Sequence, residues 1–361
     1  ILKCAPFWLA AMLHLLLSVY ILTFLMGVPT NILAFCTFCR KVRRKATPID
    51  VLLLNLTISD LIFLAFLPFK MKEASDNLAW MLHYELCPFT GYVFYVTIYN
   101  STLLLTAVSV ERYLGVAYPL RYSVWRRPRY AVVASMMFWV VTCLNLSIVY
   151  IMPYSQWRTG SNGSTPVPPP TTCYLNFTED ELDILLPFRL ELFLVLFCIP
   201  FFISCFCYVN FILILSRLPN IGRRRRLRCI GLALSTLIVF AVCFGPYNAS
   251  HVVGFVRKES QEWRNVALLF STFNACLDPF IFYFSSAAVR KPGVHRGLDV
   301  HRGLDVHRGL DAGVHRGLYI HRGLDVHRGL DVHRGLDAGV HRGLYIHRGL
   351  DVHRSLRCWC S

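Results

Sequence analysis

The chain has 361 residues, of which 55% are hydrophobic and 16% are charged, and its mean hydropathy is +0.48. A soluble globular protein carries more ionised side chains on its surface, so this composition excludes that class and favours a chain that lies in lipid. The formal net charge of +16 raises the alternative of a nucleic-acid-binding protein. The basic residues, however, lie between hydrophobic stretches that can cross a membrane, so we expect no nucleic-acid partner.

Seven stretches are long and apolar enough to cross a bilayer. A hydrocarbon core about 30 Å thick takes about 20 helical residues with few charges, and helices keep every backbone polar group bonded there. Asp60 and Asp278 are the only Asp, Glu, Lys or Arg residues inside these stretches. The sequence therefore predicts an all-α membrane protein with a seven-transmembrane helix bundle. The predicted spans are 8–39, 51–69, 86–110, 130–157, 192–216, 229–256 and 265–289.

Lys and Arg collect in three of the loops between spans, and all three loops lie on one side of the membrane. Cytoplasmic loops are enriched in these residues, so that side is expected to be cytoplasmic and the N-terminus extracellular. The first span lacks a preceding basic segment and is too long for a cleavable signal peptide, so we expect it to remain. The chain is thus predicted to be a multi-pass plasma-membrane protein. The basic residues are Arg40, Lys41, Arg43, Arg44, Lys45, Arg121, Arg126, Arg127, Arg129, Arg217, Arg223, Arg224, Arg225, Arg226 and Arg228.

The loop between spans four and five, residues 158–172, is rich in Gly, Ser, Thr and Pro, a composition typical of a solvated irregular segment. Two glycosylation sequons, at Asn162 and Asn176, lie in this extracellular region, and we expect both to carry glycans. Among the fourteen cysteines, only Cys4, Cys87 and Cys173 are predicted to lie on the extracellular side. Three cysteines cannot all pair. A Cys87 to Cys173 disulfide would fasten the loop to the outer end of span three in an oxidising compartment.

From residue 293 onward the chain consists of His-Arg-Gly-Leu-Asp-Val units inside a longer period of 26 residues, marked by His295, His321 and His347. Ten of the thirteen histidines lie here, so metal binding is one interpretation. The units lack the residue variation and the apolar face of a folded repeat protein. Disorder, or a tandem DNA repeat translated by an erroneous gene model, is the preferred interpretation. We divide the chain into a receptor-like domain, 1–292, and this low-complexity C-terminal tail, 293–361.

Short motifs on all seven spans resemble those of rhodopsin-like (class A) G-protein-coupled receptors. The most telling is Glu111-Arg112-Tyr113 at the inner end of span three, which resembles the Asp/Glu-Arg-Tyr motif of that family. One such motif is a weak signal, but seven in order on seven spans are specific. The others are Asn31, Leu56-Thr57-Ile58-Ser59-Asp60, Trp139, Pro200, Phe244-Gly245-Pro246-Tyr247, and Asn274 with Asp278-Pro279.

Within that family, four segments are similar to the short-chain free fatty acid receptors. The resemblance implies an extracellular carboxylate ligand, a short-chain or medium-chain fatty acid. Those receptors usually have His at the position of Asn145, so this part of the pocket and the chain-length preference differ here. The segments start at Glu111, Leu190, Cys243 and Phe282. The ligand-binding positions implied by the resemblance are Arg189, Arg264, His251, Tyr99, Tyr247 and Asn145.

The chemistry of these residue types agrees with an acid ligand. Arg189 and Arg264 both lie near the outer ends of their helices, and an Arg fork makes paired, charge-assisted hydrogen bonds with a carboxylate. Two such forks suit one small acid. The alternative is that both arginines snorkel to the membrane interface with Glu191 or Glu262 as counter-ions. Two outer arginines would equally suit another small anion or a lipid phosphate.

The resemblance also implies a polar pocket at membrane depth and a switch at the inner end of span three. Asp60, Ser101, Asn274 and Asp278 are expected to line a pocket that holds sodium, or a hydrogen-bonded network without an ion. No other cofactor is expected. Arg112 is expected to pair with Glu111 at rest and to turn toward a heterotrimeric G protein on activation. The switch residues are Glu111, Arg112 and Tyr113.

Further partners and other functional classes follow from the same features. Arrestin is a further expected cytoplasmic partner, and membrane lipid is expected at the basic loops. An enzyme is disfavoured, because the chain lacks the short motifs of metalloproteases, serine hydrolases and phosphate-binding loops. An anion transporter is the alternative of another class, but the spans show neither pseudo-symmetric repeats nor paired broken helices.

Overall fold

The structure, a computed structural model, describes residues 5–83, 85–119, 122, 127–159, 173, 179–218, 222–260 and 263–287. In these parts of the chain the regular elements are helices, which confirms the predicted all-α architecture. Seven helices follow one another in chain order. They are α1 (Ala5–Lys45), α2 (Pro48–Ser75), α3 (Leu86–Ala117), α4 (Pro128–Thr159), α5 (Glu179–Leu192, continued by Phe193–Cys198 and Ile199–Arg217), α6 (Arg223–Arg257) and α7 (Arg264–Ala287).

Helices α1 to α6 are each long and apolar enough to cross a membrane over their described residues. Helix α7 is not in that set, and its interior carries polar residues such as Asn274 and Asp278. Several helices also extend beyond the predicted hydrophobic spans. The second span was predicted to end at Phe69, for example, whereas α2 continues to Ser75. A hydrophobic run stops at the first charged residue, but the helical backbone does not.

The start of α2 follows from local capping chemistry. Thr47 has an extended backbone, and its hydroxyl accepts a hydrogen bond from the Asp50 N–H at 3.3 Å. Pro48 occupies the first helical position, where a missing N–H costs nothing. Thr-Pro therefore starts the helix immediately after the short loop that follows α1.

The chain divides into two compact units. The first combines Ile1–Leu114 with Trp125–Tyr283 and contains nearly all of the described helical bundle. The described residues of the second are 115–119, 122 and 284–287. In the described part of the second unit, the Tyr122 N–H donates to the Tyr118 carbonyl at 2.8 Å. All residues of the candidate site lie in the first unit.

Two prolines leave carbonyl groups that side chains of other helices satisfy. Pro279 in α7 has no N–H to donate to the Ala275 carbonyl, and the Asn31 amide of α1 donates to that carbonyl at 2.6 Å. In α5, Pro200 likewise cannot donate to the Leu196 carbonyl, which accepts from the Thr102 hydroxyl of α3 at 3.0 Å. Such interhelical hydrogen bonds help to fix helix positions in a membrane protein.

Helix α5 changes to a π-helix over Phe193–Cys198, directly before Pro200. The Ile199 N–H donates to the Leu194 carbonyl, the i to i−5 bond of this wider turn. Widened turns of this kind, like prolines, bend a helix, and they often lie at functional sites. Arg189 lies on the turn before the π-helical segment.

Helices α1 and α2 approach closely because α1 has a glycine at the contact. A Cβ atom added to Gly27 would lie 2.9 Å from a Leu64 methyl group, which is closer than packed side chains allow. Leu64 is buried, as are Leu56 and Leu67 on the same helix. Gly27 therefore lets α1 pack against the most buried face of α2.

A disulfide joins Cys87 at the start of α3 to Cys173, with a Cα to Cα distance of 5.7 Å. This confirms the predicted pairing. Trp80 is buried against both cysteines, and its indole N–H donates to the His83 carbonyl at 3.1 Å. We refer to the end of the bundle that contains the Cys87–Cys173 disulfide as the disulfide end.

Candidate functional site

Arg264 and Tyr247 form the first pair of the candidate site. The Arg264 guanidinium donates to the Tyr247 hydroxyl at 2.7 Å, and its central carbon lies 5.2 Å from the centre of the same ring. The Tyr247 ring stacks on Tyr95 of α3, with 5.8 Å between ring centres and 12° between ring planes. Helices α3, α6 and α7 therefore jointly hold the Arg264 side chain in place.

His251 and Tyr99 form a second pair one helical turn from Tyr247. The Tyr99 hydroxyl lies 3.0 Å from Nε2 of His251 and 3.3 Å from the Asn248 side-chain oxygen. A consistent assignment has Nε2–H donate to Tyr99, whose O–H then donates to Asn248. His251 is 2% exposed, and among the described residues its Nδ1 atom has no hydrogen-bond partner. One ring nitrogen is thus available to a ligand.

Arg189 approaches the same place from α5. It is 5% exposed and interacts electrostatically with Arg264, Tyr247 and Tyr99. The structure therefore brings together five of the six predicted ligand-binding residues. We call this group the cationic cluster, and its members are Arg189, Arg264, His251, Tyr99 and Tyr247.

Asn145, the sixth predicted residue, behaves differently. It is only partly buried, and its amide donates to the Val141 carbonyl of its own helix at 2.8 Å. Among the described contacts, none joins Asn145 to the cationic cluster. Its assignment to the ligand site remains a prediction.

The cationic cluster places two guanidinium groups with the same charge close together inside the bundle. Like charges in a poorly hydrated interior repel each other, and an anion between them removes that cost. The Tyr247 hydroxyl, which accepts from Arg264, can donate its own O–H as a further hydrogen bond to a small acid. One proposed counter-ion, Glu191, has a buried carboxylate oxygen without a hydrogen-bond partner in the described structure. The other, Glu262, lies outside the described residues.

A second polar group lies deeper in the bundle, around the buried acids Asp60 and Asp278. The Asn274 amide donates to Asp278 at 3.0 Å, and Ser101 donates to the Ser59 hydroxyl at 3.2 Å. Asp60, Ser101 and Asn274 line a common cavity of about 10 Å³. We call Asp60, Ser101, Asn274 and Asp278 the acidic centre.

Three oxygen atoms of the acidic centre have no hydrogen-bond partner within the described structure: one each from Asp60, Asn274 and Asp278. A cavity of about 10 Å³ holds roughly one water-sized particle. Carboxylate and amide oxygens are ligands that hard cations prefer. The residues present therefore fit a single small cation. Across the described residues there is no group of three or more His, Cys, Asp or Glu side chains that would hold a metal ion by itself.

Arg112 lies at the opposite end of the bundle from the disulfide and is 2% exposed. It donates to the Tyr208 hydroxyl of α5 at 3.2 Å and to the Thr236 hydroxyl of α6 at 3.3 Å. Arg112 thus connects α3 to α5 and α6. The predicted ion pair with Glu111 remains a prediction.

Comparison with known proteins identifies the family. Residues 30–282 match the family described as 7 transmembrane receptor (rhodopsin family). The chain is 49% identical to free fatty acid receptor 3 of Mus musculus over 276 residues, which is 76% of this chain and 83% of the relative. It is 47% identical to free fatty acid receptor 3 of Homo sapiens over 270 residues, covering 75% and 76%. It is also 47% identical to free fatty acid receptor 2 of Mus musculus over 280 residues, covering 77% and 83%.

The chain belongs to the rhodopsin family of receptors, in the free fatty acid receptor group. It is a G-protein-coupled receptor and a multi-pass plasma-membrane protein, not an enzyme. The family predicted from seven short motifs is confirmed.

Several contacts in this receptor were not predicted from its sequence. Tyr95 and Asn248 hold members of the cationic cluster, although neither was among the six predicted ligand-binding residues. Their spacing offered a signal, since Tyr95 lies four residues before Tyr99 and Asn248 lies three before His251. The partners of Arg112, by contrast, come from distant segments and could not be found by spacing.

Other predictions for this receptor lie outside the described residues. These are the glycosylation sites Asn162 and Asn176 and the repeat tail, 293–361. The domain boundary at residue 292 likewise remains a prediction.

Proposed function

We propose that this receptor binds a small extracellular carboxylate, a short-chain or medium-chain fatty acid, in the cationic cluster. The observation that carries the proposal is the pair of guanidinium groups, Arg189 and Arg264, which both interact electrostatically with Tyr247 and Tyr99, while Arg264 also donates to the Tyr247 hydroxyl. A carboxylate between them would accept hydrogen bonds from both forks. The names of similar relatives, free fatty acid receptors 2 and 3, support this ligand class.

The polar partners of the cluster determine how the carboxylate of the acid would bind. Arg264 is held by Tyr247, and His251 is held by Tyr99, so these donors are positioned before a ligand arrives. Preorganised donors lose little freedom on binding, which favours even a small ligand with few atoms. With Nε2–H bonded to Tyr99, Nδ1 of His251 carries no hydrogen and would donate to the acid only if the ring gained a second proton.

We further propose that the disulfide end faces the outside of the cell, with an extracellular N-terminus. Basic residues at the end of α1 and the start of α6 support this orientation, because Lys and Arg collect on the cytoplasmic side. A heterotrimeric G protein would then meet the end that contains Arg112, and arrestin is a further partner there. The same basic residues would contact anionic lipid headgroups.

We assign sodium to the acidic centre as part of the same proposal. Asp60, Asp278 and Asn274 would hold the ion through oxygens that have no other described partner. The ion would supply a positive charge that offsets two buried carboxylates, which interact with each other electrostatically.

A dose series of straight-chain acids of increasing length tests the ligand, with cAMP and calcium as readouts in cells that express the intact receptor. We expect short and medium acids to activate the receptor, and Arg189→Ala to abolish the response while surface expression stays unchanged. Undiminished potency in Arg189→Ala would contradict the carboxylate site. Silence of the wild-type receptor to every acid would favour another small anion or a lipid phosphate instead.

A further inference from the structure

A second cavity lies at the disulfide end, beside the cationic cluster. Its volume is about 30 Å³, and side chains of α1, α2, α3 and α7 line it together with Cys173. A cavity needs about 10 to 15 Å³ to hold one water molecule, so this one has room for about two water-sized groups. It is too small for a whole ligand and suits one terminal group of a ligand. The polar side chains that line it are Tyr20, Lys70, Glu73, Tyr95 and Asn265.

The polar character of this cavity comes from a buried ion pair. Lys70 Nζ lies 2.8 Å from Glu73 Oε2, and the two side chains are only 12% and 6% exposed. Tyr20, also buried, interacts electrostatically with Glu73. Ionisable residues inside a membrane bundle usually serve a function, because burying such a pair contributes little to stability. The ammonium can donate three hydrogen bonds and the carboxylate can accept several, so the pair retains capacity for a further partner.

One aromatic ring separates this cavity from the cationic cluster. Tyr95 lines the cavity and also stacks on Tyr247, which holds Arg264. Asn265 lines the cavity too and is the residue directly after Arg264. A ligand held by the arginines would therefore have to pass the Tyr95 ring to reach the Lys70 and Glu73 pair.

We propose that this cavity is a subsite for the far end of an acid whose carboxylate is held by Arg189 and Arg264. It takes a neutral polar group that both donates and accepts a hydrogen bond, such as a terminal hydroxyl or primary amide. The group donates to Glu73 and accepts from Lys70, so both charges keep their partner. A second full charge on the ligand would compete with one member of the pair and leave the other unpaired, which is costly. This inference rests on the proposed function.

The test compares straight-chain acids with terminal hydroxy acids of equal chain length on the full-length receptor. In wild type we expect the hydroxy acid to be about tenfold more potent at the length that reaches the cavity, because a site built to hydrogen-bond a hydroxyl disfavours a ligand without one. The double variant Lys70→Met with Glu73→Leu should reduce this ratio to about one, since both polar partners are gone together. The unsubstituted acid should keep its potency within about threefold.

The same helix offers a matched control. Lys72 and Asp76 form an ion pair with the same 2.8 Å separation, but their side chains are 54% and 20% exposed. Lys72→Met with Asp76→Leu should leave the ratio as in wild type. The exchanged pair Lys70→Glu with Glu73→Lys, which keeps both charges, should retain a preference for the hydroxy acid.

Three results would overturn the inference. Equal potency of the two acids at every length in wild type overturns the subsite alone, because the carboxylate site still functions. An unchanged ratio in the Lys70→Met and Glu73→Leu receptor does the same. Silence of the wild-type receptor to both kinds of acid overturns the proposed function, and the subsite with it.

Discussion

The cationic cluster and the acidic centre are two polar groups in the same apolar bundle, and they differ in sign and in how their hydrogen bonds are satisfied. In the cationic cluster, aromatic hydroxyls bond to Arg264 and His251, and the excess is positive charge. In the acidic centre, three acceptor oxygens have no described partner, and the excess is negative charge around a small cavity. The sign of the charge that predominates in each group thus indicates the sign of the ligand it suits.

The two groups also differ in which helices supply their residues. The cationic cluster takes residues from α3, α5, α6 and α7, whereas the acidic centre takes them from α2, α3 and α7. Helix α3 contributes to both, through Tyr99 and Ser101, which are two residues apart. A change in the position of α3 would therefore alter both groups. Coupling between an acid at one and a cation at the other is the thermodynamic consequence to test.

The largest effect is expected for Arg264→Ala. This change removes one of the two forks and leaves the Tyr247 hydroxyl without its donor, so acid potency should fall by about 100-fold or more. A radioligand or cAMP dose curve at matched surface expression measures it. Arg257→Ala is the control, because Arg257 is exposed in the last turn of α6. Equal losses in the two variants would mean that general positive charge, and not the cluster, attracts the acid.

The next largest effect concerns the acidic centre. Replacing choline with sodium at constant ionic strength should change acid affinity in wild type by about fivefold or more, as is typical for coupled sites. Asp278→Asn removes a carboxylate next to the cavity and should abolish that sodium dependence. If acid affinity in wild type does not depend on sodium, the acidic centre is a hydrogen-bonded network without an ion.

Some features of these two groups and of the fold could be predicted from the sequence, and others could not. The helices and the family followed from hydrophobic runs and short motifs, because these are local properties of the chain, and the disulfide followed from which cysteines the spans place outside the cell. Five members of the cationic cluster came from family resemblance, and the structure brings them together. The contacts of Arg112 with Tyr208 and Thr236 join segments far apart in sequence. Spacing within one helix carries no information about such contacts.

The ends of the helices show the same limit. The hydrophobic run of the second span ends at Phe69, so Lys70 and Glu73 were left outside the predicted span. They nevertheless belong to α2, and their ion pair is buried. The sequence could not reveal this burial, because it depends on neighbouring helices α1 and α7 and on Cys173 beside the cavity.

A smaller effect is expected for Tyr247→Phe. The ring keeps its stacking on Tyr95 and its position under Arg264, while the hydroxyl that accepts from Arg264 at 2.7 Å is lost. Loss of one hydrogen bond to a charged group should lower acid potency by about tenfold. Tyr130→Phe is the control, since Tyr130 bonds to Arg129 at an exposed position. A change of less than about twofold in Tyr247→Phe would mean that the hydroxyl does not position Arg264.

The smallest effect is expected for Asn145→Ala, and it decides whether the sixth predicted residue belongs to the ligand site. The Asn145 amide bonds to the Val141 carbonyl within α4. Because this side chain bonds only within its own helix among the described contacts, its removal should change acid potency by no more than about threefold, as for most substitutions at partly exposed positions. The order of potency along the straight-chain acids should also stay the same. If that order shifts in Asn145→Ala while Arg264→Ala still abolishes the response, Asn145 contacts the acid's chain, and the ligand pocket extends from the cationic cluster to α4.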